Sequence, residues 1–393
     1  MIRKERLKIF LWKCYLKLLP TRDQRNMAKS IERFRDKMMD PKFDWKPYVN
    51  RVNPYFERFG FKFSALEGEY YAACTGVKSD LYIPMTLYDD FLYPYLNPQT
   101  WRLGYCDKNM FSRLLNISEA QQHVDIEIPE YIVYCDFGRY FLPNDRLCTR
   151  QEAVNAVCSC KQSFIIKPTV GSEHGQGIRK IGKDEINESS IETLFSQYGD
   201  NFTIQKVIRQ HPDLAAFNPT SVNTIRITTY QDFKGEVKVL YASQRFGGKD
   251  KVFDNADDPN GSGGFCAILP DGTVKREVHR YRNLKVVPLD DSIPEKIPCY
   301  DKVVKAVKFL HTRFPQFGLI GWDMTVTPEG HPLMIEYNFC PGLGTGQLAH
   351  GPIFPKEDLD EIMSRVSNCR YRYVTKALVS YPDKKHNFLM RNI

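Results

Sequence analysis

Two carboxylates and an amide recur within one short stretch, Gly318-Leu-Ile-Gly-Trp-Asp323-Met-Thr-Val-Thr-Pro-Glu-Gly330-His-Pro-Leu-Met-Ile-Glu336-Tyr-Asn338. Apolar, β-prone runs flank Thr327-Pro328-Glu329-Gly330, where proline at the second position and glycine at the fourth read as a tight turn. A hairpin centred between Glu329 and Gly330 sets Asp323 opposite Glu336, with Asn338 on the same face two residues further on. Like charges about 5 Å apart on a half-buried face repel, so the pair requires a cation or a shared proton. Oxygen-only ligands suit Mg²⁺, which takes one or two carboxylates and fills its shell with water and phosphate oxygens. The competing reading is a structural pair neutralised by Arg or Lys, and a β-bulge would break the register.

Phosphate chemistry has candidates upstream. Lys167 ends the strand-like run Ser163-Phe-Ile-Ile-Lys, before Pro168 and the glycine-rich run Gly171-Ser172-Glu-His-Gly175-Gln-Gly177. Glycines let backbone N–H groups approach phosphate oxygens closely, and an ammonium beside such a loop is a suitable point charge. Lys108, at a predicted helix start capped by Asp107, offers a second cation. Arg226 lies on a predicted strand, and Arg245 follows the next one, ahead of Asp254 and the run Gly261 to Gly264. Their planar forks match carboxylate or phosphate, and their order favours a site shared with the hairpin. There is no GxxxxGK[ST] loop. Asp136-Phe137-Gly138 mimics a kinase motif, but it precedes Lys167, the reverse of kinase order.

The elements that must position these groups alternate. Thr149-Arg-Gln-Glu152 is a capping box opening a helix that ends near Cys160. Strands are expected at 131–134, 139–142, 163–167, 202–208, 224–230 and 237–243, which indicates mixed α/β or α+β architecture. Helices broken at Pro20, Pro41, Pro47 and Pro54 are expected up to about residue 65. No internal repeat or low-complexity tract is evident.

With 393 residues, 42% of them hydrophobic and 13% aromatic, the chain can bury substantial cores. Its net charge of +8 is concentrated: residues 1–40 hold 12 Lys/Arg against 5 Asp/Glu, so the remainder is close to neutral. That balance argues against a nucleic-acid partner. Eleven scattered cysteines without a CxxC fit reduced thiols of a cytoplasmic protein. Residues 2–19 have apolar positions at helical spacing interrupted by lysines, too short and too charged to span a bilayer. Such a basic helix either lies on the inner face of an anionic membrane or packs on its own protein.

The ordered set from Asp107 to Gly346 resembles the ATP-grasp superfamily, most closely its sugar-transfer-associated members connected with bacterial polysaccharide assembly. The resemblance implies an α+β fold in which two subdomains clasp ATP, behind an N-terminal helical segment. It divides the chain at 1–65 (basic helical segment), 66–125 (N-terminal α/β subdomain), 126–205 (lid subdomain), 206–365 (catalytic subdomain) and 366–393 (tail). It also implies that Lys108 and Lys167 hold ATP phosphates, that Gly171, Ser172, Gly175 and Gly177 form the lid loop, and that Gln205, Lys206 and Val207 lie in the hinge receiving adenine. Arg226 and Arg245 resemble the arginines facing the γ-phosphate and acyl substrate, and Asp323, Glu336 and Asn338 the Mg²⁺ ligands. Two departures are Gln205-Lys206, where the hinge commonly carries an acidic residue, and Gly321, where some relatives have arginine. The implied activity is an ATP- and Mg²⁺-dependent, ADP-forming ligase joining a small-molecule carboxylate to an amine or sugar nucleophile. The alternatives are a kinase-like phosphotransferase and a non-catalytic nucleotide-binding subunit.

Overall fold

The structure is a computed structural model that describes residues 44–367, apart from 170–176, 253, 255–259 and 282–285. The N-terminal basic helix and most of the glycine-rich loop lie outside the described residues.

Two antiparallel sheets carry the fold. The first runs β3-β2-β1-β6-β4-β5, from β1 (Tyr131–Asp136), β2 (Arg139–Leu142), β3 (Arg146–Cys148), β4 (Phe164–Pro168), β5 (Arg179–Ile181) and β6 (Asn201–Lys206). The second runs β11-β10-β9-β8-β7-β12-β13, from β7 (Thr224–Gln231), β8 (Val237–Phe246), β9 (Gly264–Ile268), β10 (Glu277–Arg280), β11 (Val286–Pro288), β12 (Leu319–Val326) and β13 (Pro332–Asn338). The principal helices are α1 (Leu66–Thr75), α2 (Arg150–Ser159), α3 (Glu188–Tyr198), α4 (Tyr300–His311) and α5 (Gly344–His350).

Alternation decides which face of each sheet is buried in a core and which remains for chemistry. In the first sheet Phe164, Ile166, Phe202 and Ile204 turn toward Val154 and Val157 of α2 and Leu194 and Phe195 of α3. The intervening positions Lys167, Thr203 and Gln205 share the opposite face, because Lys167 pairs with Thr203 and Ile165 with Gln205. In the second sheet Ile225, Ile227, Trp322 and Met324 pack with Val303, Val307 and Leu310 of α4. That orientation leaves Arg226, Ser243, Arg245, Asp323 and Glu336 on the other face. The capping box at Thr149 and Glu152 is present and sets α2 against its sheet.

Among the described residues, 66–125 contains helices and turns but no strand, in place of the mixed unit expected there. Its aromatic residues serve packing instead: Tyr88, Phe91, Leu92 and Tyr93 join Leu343, Phe354 and Met363 in one core. Pro54 opens a helix rather than breaking one, its missing N–H falling where no helical partner exists.

The β12–β13 hairpin differs from expectation in an instructive way. Its turn is closed by Gly330 N–H to the Thr327 carbonyl at 3.0 Å and Thr327 N–H to the His331 carbonyl at 2.9 Å, with Gly330 at φ +86°. The hairpin is therefore centred on Glu329, half a residue earlier than the sequence reading, and near the turn Val326 pairs with Pro332 and Met324 with Met334. A bulge in β13 at Ile335 then shifts the register, and Asp323 does face Glu336. The bulge restores the pairing it was expected to destroy. Asp136-Phe137-Gly138 is also resolved: Phe137 (φ 53°) and Gly138 (φ 73°) form the two-residue turn of the β1–β2 hairpin, a backbone role unrelated to phosphoryl transfer.

Candidate functional site

The second sheet sets out charge in a row. Asp323 has Glu336 on one side in β13 and Arg226 on the other in β7, and Arg226 in turn faces Ser243 of β8. Arg226 binds Asp323 through both arms, Nε to Oδ1 at 2.5 Å and Nη2 to Oδ2 at 2.8 Å. Burial works against its charge, but Asp323 outweighs that and holds the guanidinium pKa above its ordinary value. Asn338 shares this face at the strand end, and its Oδ1 accepts the Cys340 N–H at 2.7 Å.

The first sheet brings its lysine to the same place. Lys167 is 6% exposed, and among the described residues its ammonium makes no hydrogen bond. Burial, with Lys108 adding to it, lowers its pKa to about 8, and the nearby Glu336 carboxylate opposes the fall. Lys108 arrives from a short helix whose Asp107 cap accepts the Asn109 N–H at 2.9 Å, and its own N–H bonds the Thr169 carbonyl at 3.2 Å. Burial and the neighbouring Asp323 raise the Glu336 pKa, while Lys108, Lys167 and Arg226 pull it down. Glu336 is thus the group through which Lys167 of the first sheet, Lys108 of the short helix and Arg226 of the second sheet meet.

Arg245 occupies the next row beyond Ser243. Its Nε lies 3.3 Å from the Tyr281 hydroxyl and 3.6 Å from Asp254 Oδ2. Burial would depress its charge, but Asp254, Tyr281 and Asp323 raise its pKa instead.

A family model described as sugar-transfer associated ATP-grasp matches residues 89–362, well over half of the chain. The chain belongs to this family. Among solved structures, the ADP complex of the N5-carboxyaminoimidazole ribonucleotide synthetase purK is 14% identical (TM-score 0.39), covering 63% of this chain and 48% of that one. The ATP-grasp ligase PsnB with minimal precursor, Mg and ADP is 13% identical (TM-score 0.36; 69% and 61% covered), and an L-amino acid ligase from Bacillus licheniformis 13% (TM-score 0.35; 70% and 49%). The chain spans about half to three fifths of these proteins' lengths. A search of curated proteins gives no match.

In this ATP-grasp protein the remaining expected site residues divide. Gly171, Ser172 and Gly175 lie outside the described residues. Gly177 is described and needs to be glycine: its φ is +73°, and a Cβ there would stand 2.8 Å from Pro168 Cγ. Gln205 is buried on the Lys167 face, and Tyr131, its cross-strand partner, donates its hydroxyl to the Lys108 carbonyl at 3.1 Å. Lys206 turns away, its ammonium half exposed and paired with Glu130 at 2.6 Å. The Lys206 N–H already donates to the Glu130 carbonyl at 2.9 Å, whereas the Val207 N–H has no hydrogen-bond partner.

Several polar groups were not singled out in the sequence. The Thr169 and Thr203 hydroxyls are buried without partners beside the lysines, and the Ser243 hydroxyl is likewise unpartnered between the arginines. Buried hydroxyls rarely go unbonded in native proteins, so this set fits a polar ligand along the cleft. Thr203 and Ser243 were reachable from alternation, since each lies two residues from a selected position on the same strand face.

The donors also fit a cation. Each carboxylate oxygen bonded to Arg226 retains acceptor capacity, as does Asn338 Oδ1, and Glu336 makes no hydrogen bond. Arg226 neutralises Asp323, and the Glu336 side chain has no hydrogen bond among the described residues.

Proposed function

We propose that the protein is an ATP-dependent, ADP-forming ligase that joins a small-molecule carboxylate to an amine or sugar nucleophile through an acyl phosphate, in bacterial envelope or capsular polysaccharide assembly. The observation carrying this reading is Glu336, which faces Asp323 on the second sheet and whose charge is supported by Lys167 of the first sheet, Lys108 of the short helix and Arg226. A triphosphate lying along the lysines would replace the missing counter-charge of Lys167, with the hydroxyls of Thr169 and Thr203 in reach and the Val207 N–H open to the base.

In the first step a substrate carboxylate oxygen attacks the γ-phosphorus and forms a P–O bond as the bond to the β-phosphate oxygen breaks and ADP leaves. In the second, the amine or hydroxyl attacks the acyl carbon and inorganic phosphate departs, the nucleophile's proton passing to solvent. Arg226 and Arg245 hold the oxyanion through both steps, so the protein's part is positioning and charge stabilisation rather than covalent catalysis. Asp323, Glu336 and Asn338 would hold Mg²⁺, which when bound supplies charge neutralisation to the phosphate oxygens.

One observation favours a second reading, a non-catalytic nucleotide-binding subunit: Asp323 is already engaged by both arms of Arg226. A kinase-like phosphotransferase is the third. ADP release is measured while sugar and amino-acid carboxylates are screened against amine acceptors, with product identification by mass spectrometry. A condensed product plus ADP supports the ligase. Nucleotide binding without turnover would replace it with the binding subunit, and a stable phosphorylated product would replace it with the kinase. We place the protein in the cytoplasm, with the basic segment at residues 2–19 as a contact to the membrane's inner face; among the described residues no helix is long and apolar enough to cross a membrane.

A further inference from the structure

We propose that Ser243 is a substrate-binding residue that donates its hydroxyl to a carboxylate held between Arg226 and Arg245; the inference rests on the ligase reading for its identification of that carboxylate as the acyl substrate. Three observations converge on this position. Ser243 lies across from Arg226 in the β7–β8 pairing and two residues before Arg245 on the same face of β8. It is 3% exposed, and its Oγ has no hydrogen-bond partner. Its neighbour on the other side is Ala267 of β9, so small side chains adjoin along the row.

The donors around Ser243 are unfinished. Arg226 uses Nε and Nη2 on Asp323, and its Nη1 makes no hydrogen bond. Arg245 engages Tyr281 through Nε, leaving both terminal nitrogens without hydrogen-bond partners. The neighbouring Tyr241 hydroxyl is committed to the Gly342 carbonyl at 2.7 Å; of the two hydroxyls on this face that lack a partner among the described residues, Thr228 and Ser243, it is Ser243 that pairs with Arg226. An oxyanion seated here meets two arginines and one hydroxyl, and supplies a partner for the Ser243 Oγ, which is buried without one.

The local charge selects the class of anion. Arg226 is balanced by Asp323, and Arg245 faces Asp254. A site so nearly neutral accommodates a carboxylate monoanion better than a phosphate dianion, whose second charge would face Asp254 and Asp323.

The test uses the full chain, with line broadening of ¹³C-labelled acetate as the probe, inorganic phosphate as competitor at constant ionic strength, and ADP–Mg²⁺ binding measured separately by calorimetry. Wild type is expected to bind acetate saturably and in preference to phosphate. Ser243→Ala should weaken acetate binding about three- to tenfold, the loss of one hydrogen bond to a charged group, and leave ADP affinity unchanged. Ser243→Thr should restore acetate binding to within about twofold, because it returns the hydroxyl. Acetate binding by Ser243→Ala equal to wild type, equal weakening of ADP, preference for phosphate, or no saturable acetate binding by wild type would each overturn the proposal. Failure of wild type to bind ADP, with the acetate results as expected, would instead remove the ligase reading and leave the carboxylate site standing.

Discussion

The two walls of the cleft treat positive charge in opposite ways. On the second sheet Arg226 is clasped by Asp323 at 2.5 and 2.8 Å, and Arg245 has Asp254 and Tyr281 beside it. On the first sheet Lys167 is as deeply placed, yet among the described residues its ammonium has no hydrogen-bond partner, and the nearby Glu336 carboxylate supports its charge. A guanidinium anchored by a carboxylate is fixed in direction and serves geometry; an ammonium left short of counter-charge is strained until an anion arrives. The contrast makes the arginine wall a part of the folded core and the lysine wall a part of the ligand's binding energy, and each half of that statement can be broken.

The largest effect is expected on the arginine wall. Arg226→Met leaves Asp323 buried and uncompensated and should cost about 3–5 kcal/mol of stability, measured by urea unfolding. Removing both charges in Arg226→Met/Asp323→Leu should recover most of that loss, since no buried charge is then left alone. If Arg226→Met is as stable as wild type, the pair is not structural and the comparison collapses.

Glu336 belongs to both walls, and its substitution tests whether they form one site. Glu336→Gln preserves shape while deleting the charge shared by Lys108, Lys167 and Arg226. ADP formation should fall about 10²–10³-fold in a folded protein. Turnover close to wild type would separate the hairpin from the phosphate site.

Lys167 sharpens the comparison through pH. Burial lowers its folded-state pKa from 10.5 to about 8. Between those values the unfolded chain binds more protons than the folded one, so this group's contribution makes stability rise with pH across that window; below pH 8 the whole penalty is present. Lys167→Met should therefore stabilise the free protein at pH 7, on the order of 1–3 kcal/mol, and remove the rise between about pH 8 and 10.5. ATP affinity should move oppositely, weaker in the variant at pH 7 and falling in wild type as pH climbs through about 8. A variant that loses stability and keeps its ATP affinity would show that Lys167 serves the fold.

How much of this was legible before the structure depended on range. Local signals read well: the Asp107 cap, the Thr149–Glu152 box and the glycine turn at Gly330 are all present, because each is decided within four residues. Alternation placed Lys167 and Arg226 on strand faces. It could not show that Arg226 would face Asp323, since β7 and β12 are adjacent in the sheet but nearly a hundred residues apart in the chain. Nor could composition foresee the Ile335 bulge, which exchanges one register for another without changing any residue type. The aromatic stretch before residue 107 resisted reading for a related reason: its side chains pack against Leu343 and Phe354, partners lying some 250 residues away.

The smallest expected effect lies at the hinge and separates side chain from backbone. Lys206 follows buried Gln205 at the end of β6, but its ammonium is half exposed on Glu130 at 2.6 Å, directed away from the lysine wall. A surface pair of that kind contributes at most about 0.5–1 kcal/mol. Lys206→Met should therefore leave ATP affinity within about twofold of wild type, since no donor in the cleft is lost. The adjacent Val207 N–H is different: it has no partner, and if the base of ATP accepts from it, Val207→Pro should weaken binding by about three- to tenfold, the worth of one hydrogen bond. Calorimetry on both variants decides the matter, with circular dichroism to confirm that the proline is tolerated. A large loss in Lys206→Met would mean that the Glu130 pair opens when nucleotide binds and that this lysine joins Lys108 and Lys167 on the ligand's side. The contrast between the two walls would then extend to a third cation whose partner in the free protein is only a placeholder.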